Sequence, residues 1–188
     1  MSDESFETFW TTIDRTAVIR SRDEQIDALR TALETFDKDA LISFRAEYDR
    51  ALAAAYDWDL WGVAYVAMGG CSDDGFRYFR DWLISRGLSI YADVLENPDQ
   101  LSRYMKGVTD AEELEFEEFS SVVDEVYEVR FGTEIPIDGG LRDAAEPAGE
   151  PWEEDELNAR YPRTALASPE SGLTAMERLR LRAKGLFR

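Results

Sequence analysis

The spacing of apolar residues is the feature that most constrains how this chain folds. Through the first 132 residues they recur every three or four positions, which places them on one face of an α-helix. No run alternates with the period of two that marks a β-strand. In the first segment, about Ser5 to Val18, the stripe comprises Phe6, Phe9, Trp10, Ile13 and Ala17. The sequence therefore predicts an all-α fold.

Residues that start and stop helices divide this pattern into short elements. Ser21 and Glu24 form a capping box that opens a second helix, and Asp37 is placed to cap a third. A fourth helix is predicted from Trp58 to Met68, because two glycines follow it and favour a helix end. These four helices are all shorter than 20 residues, as is usual for a globular domain.

Three further helices complete the predicted domain. Ser72 is a candidate N-cap for a fifth helix that ends at Gly87, and a short sixth helix runs from Asp99 to Lys106. The seventh is predicted as one long helix from about Asp110 to Phe131. Its inward residues are expected to be Phe119, Val122, Val123, Val126 and Val129. We therefore expect about seven helices around a core of Trp, Phe and Leu in a single compact domain.

The composition changes after Gly132. Residues 133–151 are rich in proline and glycine and are predicted to form an irregular linker between a helical domain, 1–132, and a short C-terminal appendage, 152–188. We expect the appendage to dock on the body through Trp152, Leu157, Tyr161 and Pro162. Its end, residues 171–188, holds five basic residues and one acidic residue, which indicates a basic amphipathic tail. The apolar residues on one predicted face of that tail are Leu173, Met176, Leu179, Ala183 and Leu186.

The charge and the absence of histidine exclude several classes of function. The formal net charge is −19, which repels nucleic-acid phosphates, so we expect no nucleic-acid binding by the body. Without histidine the chain itself supplies no Ser-His-Asp triad, no Cys-His pair and no histidine-ligated zinc. Catalysis by this chain would depend on carboxylates, Cys71, tyrosines, lysines, arginines or an oxygen-bound cation.

The sequence also predicts where the protein resides. No run of about 18 uncharged apolar residues is present, which argues against a membrane span. The start, Met1 to Glu4, is acidic and lacks the basic-then-apolar layout of a signal peptide. The single cysteine is compatible with a reducing compartment. We therefore expect a soluble, cytoplasmic protein; its oligomeric state is not predicted.

The turn between the fourth and fifth helices is the candidate binding site. It holds three glycines, which suit positive φ or close approach to the main chain, beside the only cysteine and an aspartate pair. The candidate binding residues are Asp57, Asp59, Cys71, Ser72, Asp73, Asp74 and Arg80.

Each of these residues also has a structural interpretation. Ser72 caps the fifth helix, and Asp73 and Asp74 complement its dipole. Cys71 is a small residue in a tight turn whose nearby aspartates oppose thiolate formation. Arg80 is placed to form a buried ion pair with Asp73 or Asp59, or to clamp an anion.

Metal binding by the turn is a weaker hypothesis. Adjacent residues on a helix point about 100° apart, so Asp73 and Asp74 converge on one ion only with help from another segment. We therefore expect no cofactor and no metal site, with these two aspartates as the only weak candidates for Mg²⁺ or Ca²⁺.

A resemblance to a known family lies in the middle of the chain. The segment AYDWDLWGVAY, residues 55–65, followed by GGCSDDGFRYFRDWLI, residues 69–84, resembles the bacterial family called domain of unknown function 4240. The similarity covers about Ser5 to Gly132 and includes Phe9-Trp10, Gly87, Tyr91 and Pro98-Asp99. Trp152 with Tyr161-Pro162 is similar to a motif of members with a C-terminal extension. The resemblance implies a mostly helical domain and transfers no catalytic residues.

Three hypotheses for the function follow. The first is a non-catalytic binding or interaction module that uses the turn to hold an unknown protein or small molecule. The second is a hydrolase or transferase that depends on carboxylates and a divalent cation, with Asp73 or Asp74 as ligand or base and Arg80 holding an anion. The third is an acidic mimic of nucleic acid that binds basic partners through charge.

Overall fold

The computed structural model describes residues 3–136, 146–169 and 171, and its regular structure there is helical. The all-α prediction is confirmed, although these residues form ten α-helices rather than about seven. The α-helices are α1 (Asp3–Ala17), α2 (Arg22–Glu34), α3 (Lys38–Ala54), α4 (Trp58–Met68), α5 (Asp73–Ser85), α6 (Leu88–Glu96), α7 (Leu101–Tyr104), α8 (Val122–Phe131), α9 (Leu157–Arg160) and α10 (Pro162–Ala167). Short 3₁₀ segments are Pro98–Gln100, Ala111–Leu114, Glu117–Phe119 and Glu154–Glu156. Within the described ranges, no helix is both long and apolar enough to cross a membrane.

The predicted N-caps are confirmed by their hydrogen bonds. The Oγ of Ser21 accepts from the backbone N–H of Glu24 at 3.4 Å, and Oδ1 of Asp37 accepts from that of Ala40 at 2.9 Å. These bonds satisfy N–H groups that have no partner inside a helix, which is why the sequence signal is reliable there. The bounds of α4 also match the prediction, Trp58 to Met68.

The predicted long helix from Asp110 to Phe131 is wrong. Two 3₁₀ segments precede α8, and both Leu114 and Phe116 are buried in the core. In one continuous helix these two side chains would point about 200° apart, so they could not share a core-facing stripe. The N–H of Phe116 instead donates to the carbonyl of Tyr78 at 3.0 Å, a contact that breaks the helical ladder.

Three other sequence-based expectations need correction. Val129 is 85% exposed, because α8 turns its neighbours Val126 and Tyr127 into the core. Phe6 is 46% exposed at the start of α1, on the edge of a groove described below. The helix α6 was not predicted, because it begins directly after Gly87 and has no N-cap side chain.

The first five helices build the aromatic core. Helix α1 packs against α2, α3 and α5, and α8 closes the core over α2 and α3. The ring of Phe9 lies 4.9 Å from those of Trp10 and Phe44 and 6.0 Å from that of Tyr48. Burial of such large rings supplies most of the hydrophobic stabilisation of a domain of this size.

Residues 146–168, which we call the C-terminal strap, run along α4. Ala148 exchanges backbone hydrogen bonds with Tyr56 and Trp58 at 2.9 and 2.8 Å, and Leu157 is buried at 1% exposure. At the far end, the Oγ of Ser168 donates to the carbonyl of Ala67 at 2.9 Å. The predicted docking of the appendage is therefore present, except that Pro162 is exposed. Residues 137–145 of the predicted linker and 172–188 of the predicted tail lie outside the described residues.

Candidate functional site

The turn between α4 and α5 is built from glycine conformations and a helix cap. Gly69 and Gly70 have φ of 70° and 136°, values that disfavour other residues. Ser72 is the N-cap of α5, because its Oγ accepts from the N–H of Gly75 at 3.1 Å. Asp73 and Asp74 lie exposed in the first turn of α5, where their charge complements the helix dipole.

Cys71 is unsuited to nucleophilic chemistry in this setting. Its side chain is partly buried, and its backbone carbonyl accepts a hydrogen bond of 3.0 Å from Nε1 of Trp61. Burial, and then the nearby carboxylate of Glu115, raise the pKa of the thiol to about 12. The thiol is therefore protonated at neutral pH, and the thiolate is the form that attacks.

Asp57 and Asp59 face the C-terminal strap. Asp57 caps α4, since its Oδ1 accepts from the N–H of Asp59 at 2.7 Å. The carboxylate of Asp59 forms an ion pair with Arg160 and accepts from the hydroxyl of Tyr161 at 3.3 Å. Asp57 therefore caps α4, and Asp59 attaches the C-terminal strap to that helix. Among the described residues, no three acidic or cysteine side chains are arranged to hold a metal ion.

Arg80 lies in the core, at 2% exposure. Its Nη1 donates to the carbonyl of Leu52 at 2.9 Å, and its guanidinium lies 4.7 and 5.0 Å from the ring centres of Tyr56 and Phe76. Aromatic faces and a carbonyl attract the positive charge in this buried setting. The arginine therefore links α3, α5 and the segment between α3 and α4, and it is buried rather than displayed at the turn.

A buried carboxylate that the sequence did not single out lies next to Arg80 in α5. Asp81 is 1% exposed and accepts from the hydroxyl of Tyr48 at 2.8 Å and from Nε of Arg77 at 3.3 Å. Ser120 donates to the same carboxylate at 3.3 Å. Burial raises the pKa of Asp81 to about 6, although Arg77 and Tyr48 oppose the shift. The helical spacing could not reveal this network, because Tyr48 lies in α3 and Ser120 lies between Phe119 and α8, both far from Asp81 in the sequence.

A concave site lies away from the turn, between α1, α3 and α6. This groove, of about 650 Å³, is lined chiefly by apolar side chains. Its volume falls in the range of about 300–1,000 Å³ that is usual for ligand sites. The lining residues are Phe6, Trp10, Glu47, Arg50, Ala51, Ala54, Leu88, Tyr91, Ala92 and Leu95. We call it the α1–α3–α6 groove.

Polar contacts fix one side of the groove. The carboxylate of Glu47, 6% exposed, accepts from Oγ of Ser5 at 2.7 Å and pairs with Nη1 of Arg50 at 2.8 Å. The hydroxyl of Tyr91 donates to the carbonyl of Ala51 at 2.7 Å and so ties α6 to α3. The groove therefore combines apolar walls with one held charge pair, the composition typical of a binding site.

Sequence reasoning missed the groove for an identifiable reason. Phe6 and Trp10 belong to the predicted stripe of α1, which indicates core packing, and α6 was not predicted at all. The signal that could have found it is the row of small residues on facing helices, Ala51 and Ala54 on α3 and Ala92 on α6.

A family model described as "Protein of unknown function (DUF4240)" matches residues 5–129. Because the match covers most of the chain, the protein belongs to this family. The matched region extends from α1 into α8 and contains both the turn and the α1–α3–α6 groove, whereas the C-terminal strap follows it. No curated protein and no solved structure matches the chain.

Proposed function

We propose that this protein is a non-catalytic binding module whose site is the α1–α3–α6 groove. The observation that carries the proposal is the apolar groove of about 650 Å³ with the half-exposed ring of Phe6 at its edge. An exposed aromatic ring beside an apolar concavity is a feature of interaction sites.

The charge of the protein limits the ligand. With 40 acidic and 21 basic residues, the chain repels anions and attracts cations over distances of about a Debye length, roughly 8–10 Å. The groove itself is apolar, and its one charged pair, Glu47 with Arg50, is neutral overall, so the charge preference comes from the acidic surface of the whole protein. The ligand that fits both features has an apolar face and positive charges beside it.

The shape of the groove favours a helical segment of a partner protein. Its lining residues come from one face each of α1, α3 and α6, and the alanines Ala51, Ala54 and Ala92 leave space between the helices. An amphipathic helix binds such a groove by inserting residues from its apolar face. The proposed partner is therefore a protein with a basic amphipathic helix.

Binding of a designed peptide tests the proposal. The probe is a labelled peptide of about 18 residues, or five helical turns, with leucines on one face and lysines elsewhere. We expect saturable binding to the full chain, measured by fluorescence anisotropy. A peptide with glutamates in place of the lysines is the matched charge control and should bind at least about tenfold more weakly, about 1.4 kcal/mol.

Two substitutions of alanine by tryptophan locate the binding site. Ala92→Trp places a large ring in the groove at an exposed position of α6 and should weaken binding at least about tenfold. Ala159→Trp, at an exposed position of α9 away from the groove, should leave it unchanged. Equal binding by wild type and Ala92→Trp would remove the groove as the site.

The same peptide titration separates the nucleic-acid mimic and the site at the turn from the groove, and a melting experiment tests the metal-dependent enzyme. A nucleic-acid mimic would bind the lysine peptide by charge alone, so Ala92→Trp would have no effect. A site at the turn stays a prediction, and loss of binding in Asp73→Asn/Asp74→Asn with normal binding in Ala92→Trp would favour it. The metal-dependent enzyme predicts a rise in melting temperature with Mg²⁺, Mn²⁺ or Ca²⁺.

A further inference from the structure

The outer face of α4 shows how the C-terminal strap is held. Nε1 of Trp152 donates to the carbonyl of Trp58 at 2.9 Å, and its ring lies 5.3 Å from that of Tyr65 and 5.8 Å from that of Trp58. Leu157 and Tyr161 are buried beside it, at 1% and 4% exposure. Three anchors, spaced five and then four residues apart, therefore cover this face.

Gly62 lies at the centre of the contact. A Cβ atom at this position of α4 would be 3.0 Å from Leu157 Cδ2 and Tyr161 Cε2 and 3.1 Å from Trp152 Cδ1. Such distances are tighter than ordinary van der Waals contact, so the missing side chain of Gly62 is the space that the three anchors use. The α4 face is thus shaped for this one arrangement of Trp, Leu and Tyr.

The remaining contacts resemble those of a peptide bound to a domain. One end is held by the backbone pairing of Ala148 with Tyr56 and Trp58, and the other by Ser168 on the carbonyl of Ala67. Between them, the carboxylate of Asp99 accepts from the N–H groups of Arg163 and Thr164 at 3.3 and 2.9 Å. Main-chain bonds and a few buried aromatic and aliphatic anchors are how domains recognise extended partners.

The α4 face and the C-terminal strap lie on opposite sides of the boundary of the family match. The matched region ends at residue 129, so α4 lies inside the family domain and the strap lies outside it. Residues 146–171 hold seven acidic residues and two arginines, and they lie on a body that is itself acidic. The net charge therefore opposes the contact, and the apolar anchors, the backbone bonds and the local ion pair of Arg160 with Asp59 must hold it.

We infer that the α4 face is a peptide-recognition surface and that the strap is its ligand, bound within the same chain. The partner that this surface fits is a segment with Trp, Leu five residues later and Tyr four residues after that. A second copy of this chain supplies such a segment in its own strap. Because the strap is covalently joined to the domain through residues 137–145, its effective concentration at the α4 face is in the millimolar range. A separate peptide of the same sequence therefore competes only when this connection is cut.

The test cuts the full chain after it has folded. A recognition sequence for a site-specific protease is placed within residues 137–145, and the cut protein is mixed with a labelled peptide of residues 146–171. We expect the peptide to replace the strap with a micromolar dissociation constant and the cut protein to keep its helical circular dichroism on dilution. Added salt should tighten the complex, because it screens the repulsion between two acidic parts.

Matched variants make the test specific. A peptide with Trp152→Ala should bind at least about tenfold more weakly, and one with Glu153→Ala, an exposed neighbour, should bind as the natural peptide does. On the protein, Gly62→Leu should block the peptide, while Val129→Leu, at an exposed site of α8, should not. Trp152→Ala and Gly62→Leu alter the contact between the strap and the α4 face. Ala92→Trp, in the α1–α3–α6 groove, should leave peptide exchange unchanged.

Three results would overturn the inference. The first is that the body loses its helical signal when the strap leaves, because the strap would then be part of the folding core and not a ligand. The peptide would fail to exchange into the cut protein at any concentration. Alternatively, the Trp152→Ala peptide would bind as tightly as the natural one. None of these results bears on the lysine-peptide titration, so the two proposals can fail separately.

Discussion

The hydroxyl of Tyr91 donates a hydrogen bond of 2.7 Å to the backbone carbonyl of Ala51, and this contact joins two of the three helices that line the α1–α3–α6 groove. Burial raises the pKa of this hydroxyl well above its ordinary value, so it is protonated and donates at neutral pH. A buried hydrogen bond therefore connects two of the helices that line the groove.

Loss of this hydrogen bond should destabilise the protein by about 1 kcal/mol, because Tyr91→Phe leaves the carbonyl of Ala51 without that donor. Urea unfolding followed by circular dichroism measures the change. Tyr78→Phe is the control, since the hydroxyl of Tyr78 bonds Glu117 at an exposed position and should contribute little. Equal stability of Tyr91→Phe and wild type would show that the hydrogen bond does not hold the walls together.

The buried carboxylate of Asp81 should make stability fall as pH rises through about 4 to 6. Its pKa is raised from 3.8 to about 6, so the folded state binds its proton more tightly than the unfolded state does. Between these values the folded protein holds more protons, and the free energy of unfolding decreases with pH. Two pKa units correspond to about 3 kcal/mol.

Urea unfolding across that pH range tests this expectation. Asp81→Asn should make this slope shallower, because it removes the carboxyl whose pKa is raised to about 6, and Asp74→Asn, at an exposed position on the same helix, should not. The same slope in wild type and Asp81→Asn would contradict the assignment to this carboxylate.

Arg80 should contribute to stability and not to ligand binding. Arg80→Ala removes a large buried side chain and a donor to the carbonyl of Leu52, which should cost about 3 kcal/mol or more. Arg103→Ala, whose side chain is 55% exposed, should change stability by less than about 0.5 kcal/mol. A stable Arg80→Ala variant that loses binding would instead support the anion clamp that the sequence left open.

Gly62→Ala should lower stability although alanine is the better helix former by about 1 kcal/mol. The added Cβ would approach Trp152, Leu157 and Tyr161 to 3.0–3.1 Å, so these side chains of the C-terminal strap would have to shift by a few tenths of an ångström. A double-mutant cycle with Trp152→Ala measures this coupling in urea unfolding. The cost of Gly62→Ala should shrink once the indole is gone, whereas an unchanged cost would place its origin elsewhere in α4.

Local signals in the sequence were sufficient for much of the fold. The caps Ser21, Asp37 and Ser72 and the glycines after Met68 mark helix ends because their hydrogen bonds and conformations involve neighbouring residues only. The segment from Asp110 to Phe131 failed because a tertiary bond from Phe116 to Tyr78 outweighs helix propensity there.

The site was harder to predict than the helices. Asp57, Ser72, Asp73 and Asp74 carry the residue types expected of a site, but their positions at helix starts already account for them. The small residues Ala51, Ala54 and Ala92 mark the walls of the groove, but the groove itself depends on how α1, α3 and α6 meet, which the sequence alone does not give. Glu47 gave no signal because a lone glutamate on a helix is usually exposed.

The most direct test of the binding proposal is to map the lysine peptide on the full chain by amide chemical shifts in NMR. We expect the shifts that change on titration to cluster on the three helices of the groove, around Phe6, Ala51 and Ala92. Changes centred on Gly69 to Gly75, or spread evenly over the acidic surface, would contradict the assignment of the α1–α3–α6 groove as the binding site.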